Sequence, residues 1–174
     1  YALAGFRGPA ETTTRIAMHE AGVLTEADIL KVEELGLFQK KLSDVSALAR
    51  CANLKELDLS ANQISDLSPL KKLAQLVKLV LWGNQLTDVG PLKELKQLTN
   101  LNLDYNKLTD VSSLKELTQL TNLQLWRNQL TDVSPLKELK QLTNLSLSEN
   151  QISDVSPLKE LTQLRGLDLS GNQI

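Results

Sequence analysis

Few residues of this 174-residue chain carry reactive chemistry. It has one histidine, His19, followed by Glu20, and one cysteine, Cys51. A protein metal site needs several His or Cys donors at ligand spacing. His19 has no second donor, so it reads as a surface or cap histidine. A nucleophilic Cys51 would need an activating base, and none stands near it in sequence. A single cysteine also excludes an internal disulfide. The phosphate-cradling GxxxxGK(S/T) and GxGxxG patterns and the GxSxG elbow are absent. We therefore expect no enzyme, no catalytic residue, no metal and no cofactor.

Two ladders of charge remain. Asp44, Asp66, Asp88, Asp110, Asp132 and Asp154 recur every 22 residues. A carboxylate row could gather cations. However, steps such as Asp66-Leu67-Ser68-Pro69 look like helix starts, where Asp or Ser accepts an orphan N–H and Pro fits the first position. Capping explains the row without a ligand. Lys93-Glu94, Lys115-Glu116, Lys137-Glu138 and Lys159-Glu160 form a mixed-charge row that reads as a solvated face.

Composition narrows the function classes. Nineteen Lys and Arg against 21 Asp and Glu leave a net charge of −2, without the basic excess of a nucleic-acid or anionic-membrane binder. With 41% hydrophobic residues the chain can bury a core. No apolar run approaches the ~18 residues of a membrane span. The opening Tyr1 carries no signal-peptide pattern, so the sequence leaves the compartment open.

The 22-residue period decides the architecture. Segments 98–119, 120–141 and 142–163 read LTNLNLDYNKLTDVSSLKELTQ, LTNLQLWRNQLTDVSPLKELKQ and LTNLSLSENQISDVSPLKELTQ, each adjacent pair agreeing at 16 of 22 positions. The frame runs back through 76–97 and 54–75 to a degenerate copy at 32–53, whose apolar positions are Val32, Leu35, Leu37, Leu42 and Leu48. It ends in a partial copy at 164–174. Leu57 and Leu59 alternate with Glu56, Asp58 and Ser60, a period of two that makes a short strand with leucines inward. The same pattern predicts strands near 56–60, 78–82, 100–104, 122–126, 144–148 and 166–170. Asn62, Asn84, Asn106, Asn128, Asn150 and Asn172 close them, each with amide groups to bind backbone at the turn. Ile64, Leu67, Leu70 and Leu73 complete the core of a unit, and Cys51, standing where Leu73 stands, reads as a buried thiol. No unit can bury its leucines alone, so units must stack with strands side by side in a parallel sheet and helical turns opposite.

The phrase LxxLxLxxNQ(I/L)(S/T)D(V/L)SPLxxL resembles the leucine-rich-repeat family over about 32–174. The period and the SDVSPL phrase are most similar to its bacterial internalin-type members. The degenerate first unit with Cys51 and the lack of terminal disulfide caps are similar to intracellular members, including phosphatase regulators. The resemblance implies an α/β fold: a right-handed solenoid, or horseshoe, with a parallel concave sheet and short helical turns on the convex side. It also implies a protein or peptide partner on the concave face. Residues 1–31 lie outside the repeat and are expected to form a helical cap. One helix would run over 9–21 to a stop at Gly22, and a second would open at Thr25-Glu26-Ala27-Asp28 and run into Lys31. The compartment stays open, leaning intracellular, with a bacterial surface or secreted location as the alternative.

The copies vary in one place. Across 98–163 three positions take three identities: Asn102/Gln124/Ser146, Asp104/Trp126/Ser148 and Tyr105/Arg127/Glu149. All flank the strand leucines, and alternation points them outward from the sheet. Of the six aromatic residues, Phe38, Trp82, Tyr105 and Trp126 fall in the two strand-end columns. Trp, Tyr and Arg dominate interface hot spots. The candidate partner-binding face is therefore Val80, Trp82, Asn102, Asp104, Tyr105, Gln124, Trp126, Arg127, Ser146, Ser148 and Glu149. Two further readings stand beside it: a regulatory or targeting region of a longer protein with a catalytic domain, and an engineered consensus scaffold. Leu164, Leu167, Leu169 and Ile174 are expected to face the core uncovered, and the last strand to offer its edge for association.

Overall fold

A computed structural model describes residues 26–174. His19, the helix expected over 9–21 and its stop at Gly22 lie outside the described residues.

Each 22-residue unit makes one strand and one turn. Among the described residues seven three-residue strands run in chain order in one parallel sheet: β1 Glu34–Gly36, β2 Glu56–Asp58, β3 Lys78–Val80, β4 Asn100–Asn102, β5 Asn122–Gln124, β6 Asn144–Ser146 and β7 Gly166–Asp168. The register is that of the repeat, with Leu57 opposite Leu79 and Leu101 opposite Leu123. On the other side lie six 3-10 turns, Ser46–Arg50, Ser68–Lys72, Gly90–Glu94, Ser112–Glu116, Ser134–Glu138 and Ser156–Glu160. Five-residue turns suit sequences such as SPLKE, where proline pre-sets the first turn and only one leucine per turn reaches the core.

The strands end two residues earlier than their alternation predicts. Position 60 and several of its equivalents leave the ladder for local turns: the Ser60 N–H donates to Asp58 Oδ1 at 2.8 Å and the Asp104 N–H to Asn102 Oδ1 at 2.9 Å. The alternate N–H groups still bond the next unit, Leu59 to Val80 O at 2.8 Å and Ala61 to Trp82 O at 2.7 Å. The second cap helix, whose expected opening residue Thr25 lies outside the described residues, appears as α1 Glu26–Ile29 and ends before Lys31, in a turn where the Lys31 N–H donates to Asp28 O.

One continuous core runs from Ile29 to Leu161, built almost wholly of leucines, with Cys51 taking the place of a leucine at 2% exposure. In the degenerate unit Val32, Leu35, Leu37 and Leu48 are buried and Leu42 is partly buried. At the other end Leu164 and Leu169 are partly buried, whereas Leu167 and Ile174 are exposed.

The asparagine column stitches unit to unit. Asn106 Nδ2 donates to Leu81 O of the preceding unit at 3.1 Å and to Leu103 O of its own at 3.0 Å, and its Oδ1 accepts the Leu86 N–H at 3.1 Å. Asn62, Asn84, Asn128, Asn150 and Asn172 repeat the pattern. Truncation would orphan several backbone groups, at about 1–3 kcal/mol for each buried group left unpaired. Asn106→Ala and Asn128→Ala should each lose at least about 2 kcal/mol in chemical denaturation. Lys115→Ala, on the exposed turn side, should stay within about 0.5 kcal/mol. Equal shifts would show that the column does not carry the stitching.

Candidate functional site

The expected site residues gather at the C-terminal end of the strand face. Trp82, Asp104 and Trp126 occupy one column in consecutive units, about 4.8 Å apart by strand spacing. Tyr105 interleaves the two indoles: its ring centroid lies 6.2 Å from that of Trp82 and 6.2 Å from that of Trp126, both pairs tilted. These are distances at which aromatic pairs attract. The Arg127 guanidinium sits 5.1 Å from the Tyr105 ring centre and 5.7 Å from that of Trp126, and Arg127 Nε pairs with Glu149 at 3.0 Å. The result is one stripe across four units: Trp82, Tyr105, Trp126, Arg127, Glu149.

The backbone places this stripe in an unusual conformation. Gln39, Ala61, Gly83, Tyr105, Arg127, Glu149 and Gly171 form a 22-residue column, every member at φ between 50° and 69°. The left-handed turn is what bends the chain off the sheet, and glycine fits it best. Tyr105, Arg127 and Glu149 adopt it as three consecutive non-glycine residues, each at a conformational cost. Gly83 and Gly171 were the sequence signal for this column, which alternation alone does not reveal.

Outward pointing fails for part of the expected set. Asp104 and Ser148 are buried, at 9% and 4% exposure. Asp104 turns its carboxylate onto the sheet end, where Oδ1 accepts the Trp126 N–H at 2.7 Å. Burial pushes its carboxyl above the ordinary value of 3.8, against the lowering effect of its hydrogen bonds from Trp126 and Asn102. Asp104 thus positions Trp126 from beneath. Ser148 shares a hydroxyl contact of 3.3 Å with Ser146. Val80, Asn102, Gln124 and Ser146 lie half-buried along the third strand position. Variation among the copies of 98–163 overlooked Asn100, Asn122 and Asn144, identical in those three copies yet accessible on the same face. Asn122 Oδ1 accepts from Gln124 Nε2 at 2.7 Å, so the face presents a ladder of adaptable amides.

The other polar rows have structural work. Each aspartate of the ladder accepts the N–H two residues on, from Ser46 at 2.8 Å to Ser156 at 2.8 Å. Hydrogen bonds from Ser46, Ser68 and Ser156 hold the carboxyls of Asp44, Asp66 and Asp154 below the usual range. Cys51 lies buried, and desolvation pushes its thiol up, away from nucleophilic thiolate. Among the described residues no cluster of His, Cys, Asp and Glu could hold a metal ion, and no helix is long and apolar enough to cross a membrane.

Comparison with known proteins agrees with this architecture. The family described as Leucine Rich repeats (2 copies) matches residues 31–72, 74–116, 96–138, 118–160 and 140–174. The crystal structure of an internalin C2 (inlC2) from Listeria monocytogenes is similar at 36% identity and a TM-score of 0.70, over 87% of this chain and 76% of that one. An internalin (inlF) structure from the same organism is similar at 29% identity and a TM-score of 0.69, again over 87% of this chain. The match covers 51% of the inlF chain. Comparison with curated proteins finds no match.

Two stability measurements test the site geometry. The raised carboxyl of Asp104 keeps its proton to higher pH in the folded chain than in the unfolded one. Its contribution to stability therefore falls as pH rises from about 3.8 through the raised value, and the full penalty is present at neutral pH. Asp104→Asn retains the acceptor for Trp126 and removes the charge, so it should melt above wild type at neutral pH, the gap closing by about pH 3. A gap that persists in acid would assign the effect to packing. In the left-handed column, Ala61→Gly should stabilise by about 0.5 kcal/mol or more, and a loss of stability would show that Ala61 carries no strain there.

Proposed function

This chain belongs to the leucine-rich-repeat family, with internalin-like repeats, and we propose that it is a non-enzymatic recognition module that binds a partner protein or peptide on its strand face through the Trp82–Tyr105–Trp126–Arg127 stripe. Leucine-rich-repeat proteins of this kind are in general protein-interaction modules. The observation that carries the finer reading is the stripe itself: three aromatic rings in continuous contact on three consecutive units, in a chain with only six aromatic residues.

The physics favours recognition. The leucine core and asparagine column hold the face rigid, which lowers the ordering cost of binding. Stacked Trp and Tyr rings supply large contact area with few rotatable bonds, and the amides of Asn100, Asn102, Asn122 and Gln124 supply adaptable hydrogen bonds. The conformational cost borne by Tyr105 and Arg127 fits a site whose side chains serve a purpose other than folding.

Affinity capture with wild type, Trp82→Ala/Trp126→Ala and Tyr105→Ala tests the reading, with circular dichroism confirming that each variant folds. A partner captured by wild type should be lost from the aromatic variants by at least about tenfold, as for hot-spot residues. It should be retained by Lys115→Ala on the opposite side. Equal capture by folded aromatic variants would remove the stripe from the reading.

A further inference from the structure

The strand face is uneven in charge. At the first strand position Glu34, Glu56 and Lys78 give way to Asn100, Asn122 and Asn144, and at the third position Asp58 gives way to Val80, Asn102, Gln124 and Ser146. The two cations of the face are already matched: Lys78 Nζ lies 3.3 Å from Glu56, and Arg127 lies 3.0 Å from Glu149. Uncompensated acid on the face therefore lies at Glu34 and Asp58 on β1 and β2, toward the Trp82 end of the stripe, and at Asp168 on β7, beyond its Glu149 end.

The shape there differs as well. Phe38, Ser60 and Trp82 follow one another in the strand-end column. Phe38 is 48% exposed, Trp82 is half-buried, and the unit between them carries only Ser60 and Ala61. The backbones of Phe38 and Trp82 thus stand two strand spacings, about 10 Å, apart, and the small residues between them leave a notch flanked by two aromatic residues. On the opposite flank of the stripe the chain's own Arg127 guanidinium covers Tyr105 and Trp126. The Trp82 flank has no such cation, because the equivalent left-handed positions are Ala61 and Gly83.

The charge of Asp58 is not required by the fold. Its carboxylate holds the Ser60 N–H and hydroxyl, but two units on the neutral Asn102 makes the same turn with the Asp104 N–H at 2.9 Å. Ring spacing bears on the ligand's shape. The centroids of Trp82, Tyr105 and Trp126 step by 6.2 Å, close to the roughly 6.6 Å between alternate side chains of an extended chain.

We propose that the notch between Phe38 and Trp82 takes a lysine or arginine side chain of an extended, basic partner segment, its cation on the open flank of Trp82 and drawn by the carboxylates of Asp58 and Glu34. This rests on the recognition reading above and names the chemistry of the partner. Cation–π attraction and the Asp58 carboxylate act together there, Glu34 adds attraction from further along the face, and the apolar stem of the basic side chain packs against the small floor. The remainder of the segment runs along the stripe over the amide ladder.

The chain has a built-in reporter, since its only two tryptophans are Trp82 and Trp126. Their fluorescence is followed while the full chain is titrated with three acetylated, amidated octapeptides of alternating serine with arginine, glutamine or glutamate. The arginine peptide should give a saturable change that weakens with added salt. The change should be larger in Trp126→Phe, where Trp82 reports alone, than in Trp82→Phe. Asp58→Asn and Glu34→Gln should each weaken binding about threefold, the scale of an exposed charge pair, whereas Lys115→Ala on the turn side should not weaken it. Saturable binding of the glutamine or glutamate peptide as tight as that of the arginine peptide would overturn the basic partner and leave the recognition face standing. Undiminished binding to the folded Asp58→Asn/Glu34→Gln variant would also overturn the proposal, as would no saturable change with the arginine peptide. The capture experiment with aromatic variants judges the recognition face separately.

Discussion

Every unit of this solenoid is tied to the one before it by a single amide side chain. Asn84 shows the constraint: Nδ2 donates to Leu59 O and Leu81 O at 3.0 Å, and Oδ1 accepts the Ile64 N–H at 3.0 Å. The chain has to leave the sheet after three strand residues, which exposes backbone groups inside an apolar stack. Asparagine has two donors and an acceptor on a short stem, so it can satisfy both the turn and the neighbouring unit. Once that bond network repeats, strand register, leucine positions and the left-handed residue all repeat with it. Among the described residues no buried side-chain polar atom lacks a partner.

That regularity frees a narrow set of positions. The leucines are held by packing, the asparagines by backbone bonds and the aspartates by the 3-10 turns. The strand-end columns carry side chains that the stack does not specify, so they can differ from copy to copy without disturbing register. Column order then turns sequence variation into spatial adjacency: residues 22 or 23 apart, such as Trp82 and Tyr105, become touching neighbours.

The sequence made the frame legible because the frame is periodic. Leu57 and Leu59, Asn62 and the Asp66 step each announce their role by recurring, and the structure keeps every one in place. Strand ends were less legible: alternation continues through Ser60, but a side-chain turn from Asp58 takes its N–H away from the ladder. Asp104 shows a sharper failure. Outward alternation is a statement about Cβ direction. The carboxylate bends back to accept the Trp126 N–H, and only coordinates reveal that contact. Arg127 over Tyr105 likewise depends on rotamers, which no spacing rule encodes.

Parallel stacking also restricts how such a face can bind. In β2 to β6 each strand is paired on both sides, so its N–H and C=O groups are committed to neighbouring units. A partner cannot add a strand there, as it could at an open sheet edge. Affinity has to come from side chains standing on the sheet. That requirement favours large rigid rings and amide ladders over backbone pairing, and the proposed site, with Trp82, Tyr105 and Trp126 where strands β3 to β5 end, fits it. On the proposed face, selectivity would then come from charge placed along the stripe, with Asp58 and Glu34 toward one end and the matched Arg127–Glu149 pair at the other.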